Sequence, residues 1–330
     1  MTQEDSQTET EEGLLTSFDL LEGTSESTRA KTAETFLELL GARVRNPNTR
    51  SAYRVAWRAF LAFCSARQLE LGKVKAYHVG AWLDQHPGSR STHRQHLAAV
   101  RLLFDSLMMR GVVEYNPAAR ARPPRLVRES SHTPVFEEGE IVAFLDSISL
   151  DSLKEIRDKA IFCVLLYSWC RVSALINLSV ADYHERGGTR WLRFQEKRGK
   201  DHEVPVHSKA KEAVDLWLER SYLASNPSAP LFPSFGKNRE TIELRRLDRR
   251  SVLKLVEKRA KASGILKRVC CHSFRATGVT EYMNSGGTIE IAQRIAGHTS
   301  PSTTRIYDRS GDQLTLQEIE RVQIGKKQES

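Results

Sequence analysis

Between Asn116 and Pro134 the chain carries Pro117, Pro123, Pro124 and Pro134 among Arg120, Arg122, Arg125 and Arg128. Proline has no backbone N–H to donate and its ring collides with the preceding turn, so no helix runs through this stretch. A chain of 330 residues has length for an ordinary domain on either side of such a break. Two bodies joined by a basic linker, residues 118–134, are therefore expected, with the linker arginines tracking a phosphate backbone.

Upstream of the break, apolar residues recur at helical spacing. Phe36, Leu37, Leu39 and Leu40 form one set, and Tyr53, Trp57, Phe60, Leu61 and Cys64 a second that follows Asn46-Pro47-Asn48-Thr49, where Asn or Thr can cap. Val79, Trp82 and Leu83 mark a short third helix. Leu97, Val100, Leu103, Phe104 and Leu107 mark a fourth after Ser89, with Arg94, Arg101 and Arg110 available to the opposite face. The expectation is a small four-helix bundle over residues 29–117.

Charge is unevenly placed along the chain. The net charge is +9, yet residues 1–28 hold eight acidic residues and no basic one, whereas Arg29 to Arg128 carries 18 Lys or Arg against 6 Asp or Glu. A basic body suits a polyanionic partner, because neutralising phosphates supplies most sequence-independent affinity for DNA. The leader 1–28 is rich in Glu, Thr and Ser and is expected to lack stable structure, although Leu14, Leu15, Phe18, Leu20 and Leu21 interrupt its polarity.

Five cysteines, with no Cys-x-x-Cys spacing, argue against a disulfide framework and a structural zinc site, and Cys270-Cys271 reads as buried thiols. No apolar run approaches the roughly 18 residues of a membrane span. With an acidic N-terminus in place of a signal peptide, a cytoplasmic, nucleoid-associated protein is expected, with no metal and no cofactor.

Downstream the pattern is mainly helical, interrupted by short β-like runs at Trp191–Phe194 and Glu203–Val206 around the polar turn Lys197-Arg198-Gly199-Lys200-Asp201. Near the end come Cys271-His272-Ser273-Phe274-Arg275, then Gly297-His298, then Thr304-Arg305-Ile306-Tyr307. A phosphodiester repels nucleophiles and has a poor leaving group, so breaking it without a metal requires cations on the non-bridging oxygens, an acid and a nucleophile. Arg275 offers a planar fork matched to phosphate, and His272, three residues earlier on the same helix start, can exchange a proton near neutral pH. A phenol of pKa about 10 such as Tyr307 becomes a nucleophile once cations or a base assist it. Ser300-Pro301 opens a helix that would present it.

The ordered set His-x-x-Arg, Gly-His and Tyr resembles the tyrosine recombinase, or phage integrase, family of site-specific DNA recombinases. Tyr167-Ser168-Trp169-Cys170-Arg171-Val172-Ser173-Ala174-Leu175 resembles that family's first arginine box, except that Ala174 stands where the family usually has Glu or Asp. The resemblance implies a mainly α fold: an N-terminal SAM-like four-helix core-binding domain, then a mixed α+β catalytic domain, residues 135–311, with a small β-hairpin sheet. It implies that Arg171 and Arg275 clamp the scissile phosphate, His272 accepts from or orients the phenol, His298 bonds a non-bridging oxygen, and Tyr307 attacks. It also implies that Lys197, eight residues before Pro205, protonates the leaving oxygen, with Lys200 on the same hairpin as the competing candidate.

Double-stranded DNA recombination sites are the expected partner, bound by a homo-tetramer assembled from monomers or weak oligomers, with accessory DNA-bending proteins as further partners. The apolar stripe Leu314, Leu316, Ile319, Val322 and Ile324 in residues 312–330 suits exchange between protomers or packing on its own domain. Arg94, Arg101, Arg120, Arg122, Arg125 and Arg128 are the expected DNA contacts. The competing readings are a type IB topoisomerase that relaxes DNA with the same chemistry, and a non-catalytic DNA-binding regulator on the same fold.

Overall fold

The computed structural model describes residues 26–122, 133–195, 201–238 and 240–297, which fall into two compact units divided between Val127 and Arg128.

In the first unit, α1 (Glu26–Glu38) runs into a π-helical turn at Leu39–Arg43 and is followed by α2 (Pro47–Ser65), α3 (Ala76–Asp84) and α4 (Arg90–Met109). Helix α1 begins inside the stretch expected to lack structure. Ala30, Lys31 and Ala33 favour the helical backbone. Both expected caps form: the Asn46 side chain accepts from the backbone N–H groups of Asn48 and Thr49 at 3.0 and 3.2 Å, and Ser89 accepts from Thr92 at 3.3 Å. Trp57, Phe60, Leu61, Leu97, Val100, Leu103, Phe104 and Leu107 are buried together. The Trp57 indole N–H is satisfied by the Ala99 carbonyl at 2.7 Å, which ties α2 to α4.

In the second unit, α5 (Glu138–Asp146) precedes α6 (Leu153–Ser168), the central helix, whose residues from Ala160 to Leu166 are all buried. The short α7 (Val172–Asn177) leads to a three-stranded antiparallel sheet of β1 (Tyr183–Arg186), β2 (Thr189–Gln195) and β3 (Asp201–Pro205) in that order. Helix α8 (Ser208–Ser221) packs on α6, and a second antiparallel pair, β4 (Pro233–Phe235) with β5 (Ile242–Arg246), precedes α9 (Arg249–Ala262), α10 (Cys271–Asn284) and α11 (Ile289–Ala296). Phe136, Phe144, Phe162 and Phe274 form a buried aromatic cluster that joins α5, α6 and α10. Each such side chain contributes roughly 1.5–3 kcal/mol through loss of contact with water.

The fold is the expected mainly α one, with a larger β component than the sequence pattern indicates. Strand β1, Tyr-His-Glu-Arg, shows no apolar alternation, whereas β5, Ile-Glu-Leu-Arg-Arg, alternates over its first four residues, a short signal that sequence reasoning passed over. Gly187 and Gly188, at φ +59° and +74°, make the two-residue turn between β1 and β2, a backbone that other residues adopt only with strain. Among the described residues no helix is long and apolar enough to cross a membrane.

Candidate phosphate-handling site

Helix α6 ends where Trp169 enters the left-handed region at φ +54°, and the chain runs on in extended form through Arg171, which sits at the N-cap of α7. This is the break expected around the Arg171 box. Arg171 is exposed. Ala174, in the first turn of α7, is half-buried against the core.

Helix α10 begins at Cys271, after the Ser273 hydroxyl takes the Cys270 backbone N–H at 3.1 Å. Its first turn carries His272 and Arg275, which share a face but lie at different depths: His272 is exposed, and Arg275 retains only 2% of its surface. The Arg275 fork spans two helix ends. Nη1 donates to the Trp169 carbonyl just past α6, and Nη2 donates to the Ala296 carbonyl, the last of α11, at 2.6 Å. Carbonyls in the final turn of a helix have no intrahelical donor and carry the negative end of its dipole, so they suit a buried cation.

The His272 imidazole is held below its ordinary value of 6.5, first by loss of hydration and then by the positive charges of Arg275 and Arg171. The Arg275 fork ties the helix that carries His272 to the chain two residues before Arg171. At neutral pH the ring is uncharged and able to accept a proton. The Cys170 and Cys271 thiols are pushed up by burial to about 11 and about 12, so both stay protonated.

The remaining expected residues of the set, Lys197, His298 and Tyr307, lie outside the described residues, but their chain neighbours are described. Gln195 pairs with Asp201, the two residues that flank the segment containing Lys197. His202, next to that pair, reaches the Ile295 carbonyl with Nε2 at 2.9 Å. Gly297, at φ +59°, closes α11 directly before His298. The hairpin base, the end of α11 and the Arg275 fork therefore meet at Ile295-Ala296.

Three residues that sequence reasoning passed over organise this arrangement. Trp169 packs with Val279, Ala292 and Ala296 in a small core of its own, edge-on to Tyr282 at 5.3 Å. Gly278 lets α10 approach α6 so closely that a Cβ there would overlap the Trp169 indole and the Leu166 carbonyl. His202 is the third. An interior helical glycine was the one available signal, because it costs about 1 kcal/mol relative to alanine and usually marks a close approach.

Of the expected DNA contacts, Arg94, Arg120 and Arg122 are exposed, whereas Arg125 and Arg128 lie outside the described residues. Arg101 is a correction. Its guanidinium donates to the Ala118 carbonyl at 3.0 Å and to the Ala121 carbonyl, because the chain leaving α4 folds back over it and needs donors for those carbonyls. Arg110 is likewise engaged, with Glu34 at 2.8 Å and Glu38 at 2.6 Å, which fastens α4 to α1.

Guanidinium and imidazole groups gathered at helix ends beside a hairpin define, as a class, a site suited to a phosphate. Comparison with known proteins names the family. The phage integrase family model matches residues 134–313, and the model of the phage integrase N-terminal SAM-like domain matches residues 33–111. The chain belongs to the phage integrase family, the tyrosine recombinases, DNA breaking-and-rejoining enzymes of site-specific recombination. It is 26% identical to the tyrosine recombinase XerC of Leptospira interrogans, over 88% of this chain and 92% of that one. The fold is similar to that of the XerH site-specific recombinase bound to palindromic difH substrate in a post-cleavage complex, with TM-score 0.67, 16% identity, and 94% and 95% of the two chains covered. It is similar also to a lambda integrase tetramer bound to a Holliday junction, with TM-score 0.60, 18% identity, and 82% and 77% covered.

Proposed function

We propose that the chain cuts and rejoins DNA at specific sites through a covalent bond between Tyr307 and the 3′ phosphate, and that paired duplexes exchange strands by way of a Holliday junction. The observation that carries this reading is the Arg275 fork, which ties the first turn of α10, where His272 lies, to the chain two residues before Arg171 and to the end of α11. In the reaction the Tyr307 oxygen attacks phosphorus while His272 takes the phenolic proton. Arg171, Arg275 and His298 hold the non-bridging oxygens, and Lys197 gives a proton to the departing 5′ oxygen. The phosphotyrosine ester keeps the bond energy, so a 5′-hydroxyl from the partner strand reverses the step. Neither ATP nor a metal enters the scheme.

Four such sites act on two duplexes, in a homo-tetramer formed on DNA and joined by the segment 312–330. The proposed division of the chain places the acidic leader at 1–28, the helical DNA-binding domain at 29–117, the basic linker at 118–134 and the catalytic domain at 135–311. Arg94, Arg120, Arg122, Arg125 and Arg128 supply phosphate contacts, and accessory DNA-bending proteins act with the assembly.

Incubation with a nicked suicide duplex made from DNA flanking the gene tests this. Wild-type chain is expected to form a covalent adduct resolved by denaturing electrophoresis, and Tyr307→Phe to bind the duplex and form none. An adduct surviving in the variant refutes the assignment. Recombinant product from two site-bearing duplexes separates a recombinase from an enzyme that only relaxes supercoils.

A further inference from the structure

Helix α7 has six residues and one fully buried side chain, Leu175, so its direction depends on what holds its ends. At the N-terminal end Arg275 takes the Trp169 carbonyl, two residues before Arg171. At the C-terminal end the Arg246 fork, reaching over from β5, takes two carbonyls and a hydroxyl. Nη1 donates to the Leu178 carbonyl at 2.9 Å and the Ile176 carbonyl at 3.2 Å, and Nη2 donates to Ser179 Oγ at 2.8 Å. We propose that Arg246 is a positioning residue for Arg171: it clamps the far end of α7, and so sets where the N-cap of that helix presents the Arg171 side chain. This rests on the reading of Arg171 as a clamp on the scissile phosphate.

Arg246 can serve as a clamp because its own strand is held. It pairs with Pro233 on β4, and the Pro233 carbonyl accepts from Arg157 Nη1 at 2.7 Å. Arg157 is buried on α6, with its guanidinium 4.7 Å from the Phe235 ring centroid. A two-stranded pair is marginal by itself, and this bond ties it to the central helix. Carbonyls at the end of a helix have no intrahelical donor and favour a cation. The Leu178 carbonyl also takes the Leu231 backbone N–H at 2.9 Å, and Val180 donates to Ala229 at 2.9 Å, so the chain past α7 is fixed without Arg246. What Arg246 adds is Ile176, inside the helix, joined to Ser179 beyond it by one planar group. A lysine ammonium is a single centre and cannot span both. Arg246 is itself exposed, so replacing it leaves the core of the unit intact.

The test is a double-mutant cycle read by single-turnover cleavage of the suicide duplex. Arg246→Lys keeps the charge, and with it any general attraction for DNA, but loses the fork. It is expected to slow cleavage about tenfold, less than the loss of about 10²-fold from a full 1 Å displacement, because Leu175 and the Leu231 bond remain. Duplex affinity and its salt dependence should not change. Arg171→Gln is expected to slow cleavage about 10²–10³-fold. The double variant should fall within about threefold of Arg171→Gln alone, since placement no longer matters once the placed side chain is gone. Arg246→Met, with a stem and no donor, should show the same coupling, and it decides the matter if the Lys variant fails to fold. Losses that multiply in the double variants, or no loss in either single Arg246 variant, overturn the proposal. Multiplied losses with weaker affinity and a shallower salt slope in Arg246→Met would show instead that Arg246 contacts DNA directly. Cleavage by Arg171→Gln at the wild-type rate refutes the reading of Arg171, and the proposal with it.

Discussion

Gly278→Ala puts the close contact between α10 and α6 to the test. The added Cβ would meet the Trp169 indole and the Leu166 carbonyl oxygen. The indole has room to swing only by breaking its small core, and the carbonyl belongs to helix backbone, so the two helices must part. Overpacking of this kind costs about 1–3 kcal/mol, and the helix preference of alanine over glycine returns about 1. The overlap with backbone and a packed indole puts the cost at the upper end, and a net loss of about 2 kcal/mol lowers the melting temperature of a unit of this size by about 4–8 °C. Cleavage should suffer more than stability, because one helix leads into Arg171 and the other carries His272 and Arg275. A displacement of about 1 Å predicts a loss on the order of 10²-fold in the single-turnover rate. Thermal melts followed by circular dichroism and suicide-duplex cleavage measure the two effects. Gly139→Ala is the control: it lies exposed on α5 with nothing within 4 Å of the added atom, and should be neutral or stabilising by up to about 1 kcal/mol with full activity. A Gly278→Ala protein as stable and as fast as wild type would refute both the close crossing and the idea that it sets the arginines.

Two further outcomes follow from the same geometry. The His272 imidazole is held below 6.5 in the folded chain, so as pH falls through that value the unfolded imidazole takes its proton first and folding loses stability. Arg171→Gln removes one of the repelling charges, so the His272 midpoint, followed by NMR of the ring, should move up toward 6.5; an unmoved midpoint means that Arg171 does not face the ring. Ala174→Glu places a carboxylate in the first turn of α7, where the helix dipole favours it, one turn from Arg171. Suicide-duplex cleavage should be unchanged or faster, and a loss of about tenfold, roughly 1.4 kcal/mol, would show that the Arg171 box is misaligned.

What the sequence makes legible here is what side-chain chemistry repeats or names. The bundle helices show because Leu97, Val100, Leu103, Phe104 and Leu107 fall on one face, and their starts show because Asn46 and Ser89 have side chains that cap. Strand β1 does not show, since Tyr-His-Glu-Arg carries no period, and the alternation of β5 over Ile-Glu-Leu-Arg is at the shortest length that signals a strand. Arg101 looked free because α4 alone leaves it outside, and only the return of the chain at Ala118 and Ala121 claims it. Among the site residues, Arg171, His272 and Arg275 can be read from motif order, whereas Trp169, Gly278 and His202 act through backbone carbonyls and a close approach, which residue type does not record.

That division has a physical reason in how Arg275 is held. A buried guanidinium needs acceptors, and the obvious ones, carboxylates, would cancel the charge that a phosphate is to feel. Two of its hydrogen bonds end on the Trp169 and Ala296 carbonyls, which satisfy donors without adding a formal negative charge. These carbonyls are available because α6 turns left-handed at Trp169 and α11 ends at Ala296 before the left-handed Gly297. One fork thereby fixes the chain two residues ahead of Arg171 and two residues ahead of His298, and His202 brings the hairpin to the same helix end. Under the proposed assignment the spacing of Arg171, His272 and Arg275 is set by helix termini, so substitutions that move a terminus should impair the reaction as severely as substitutions of these side chains.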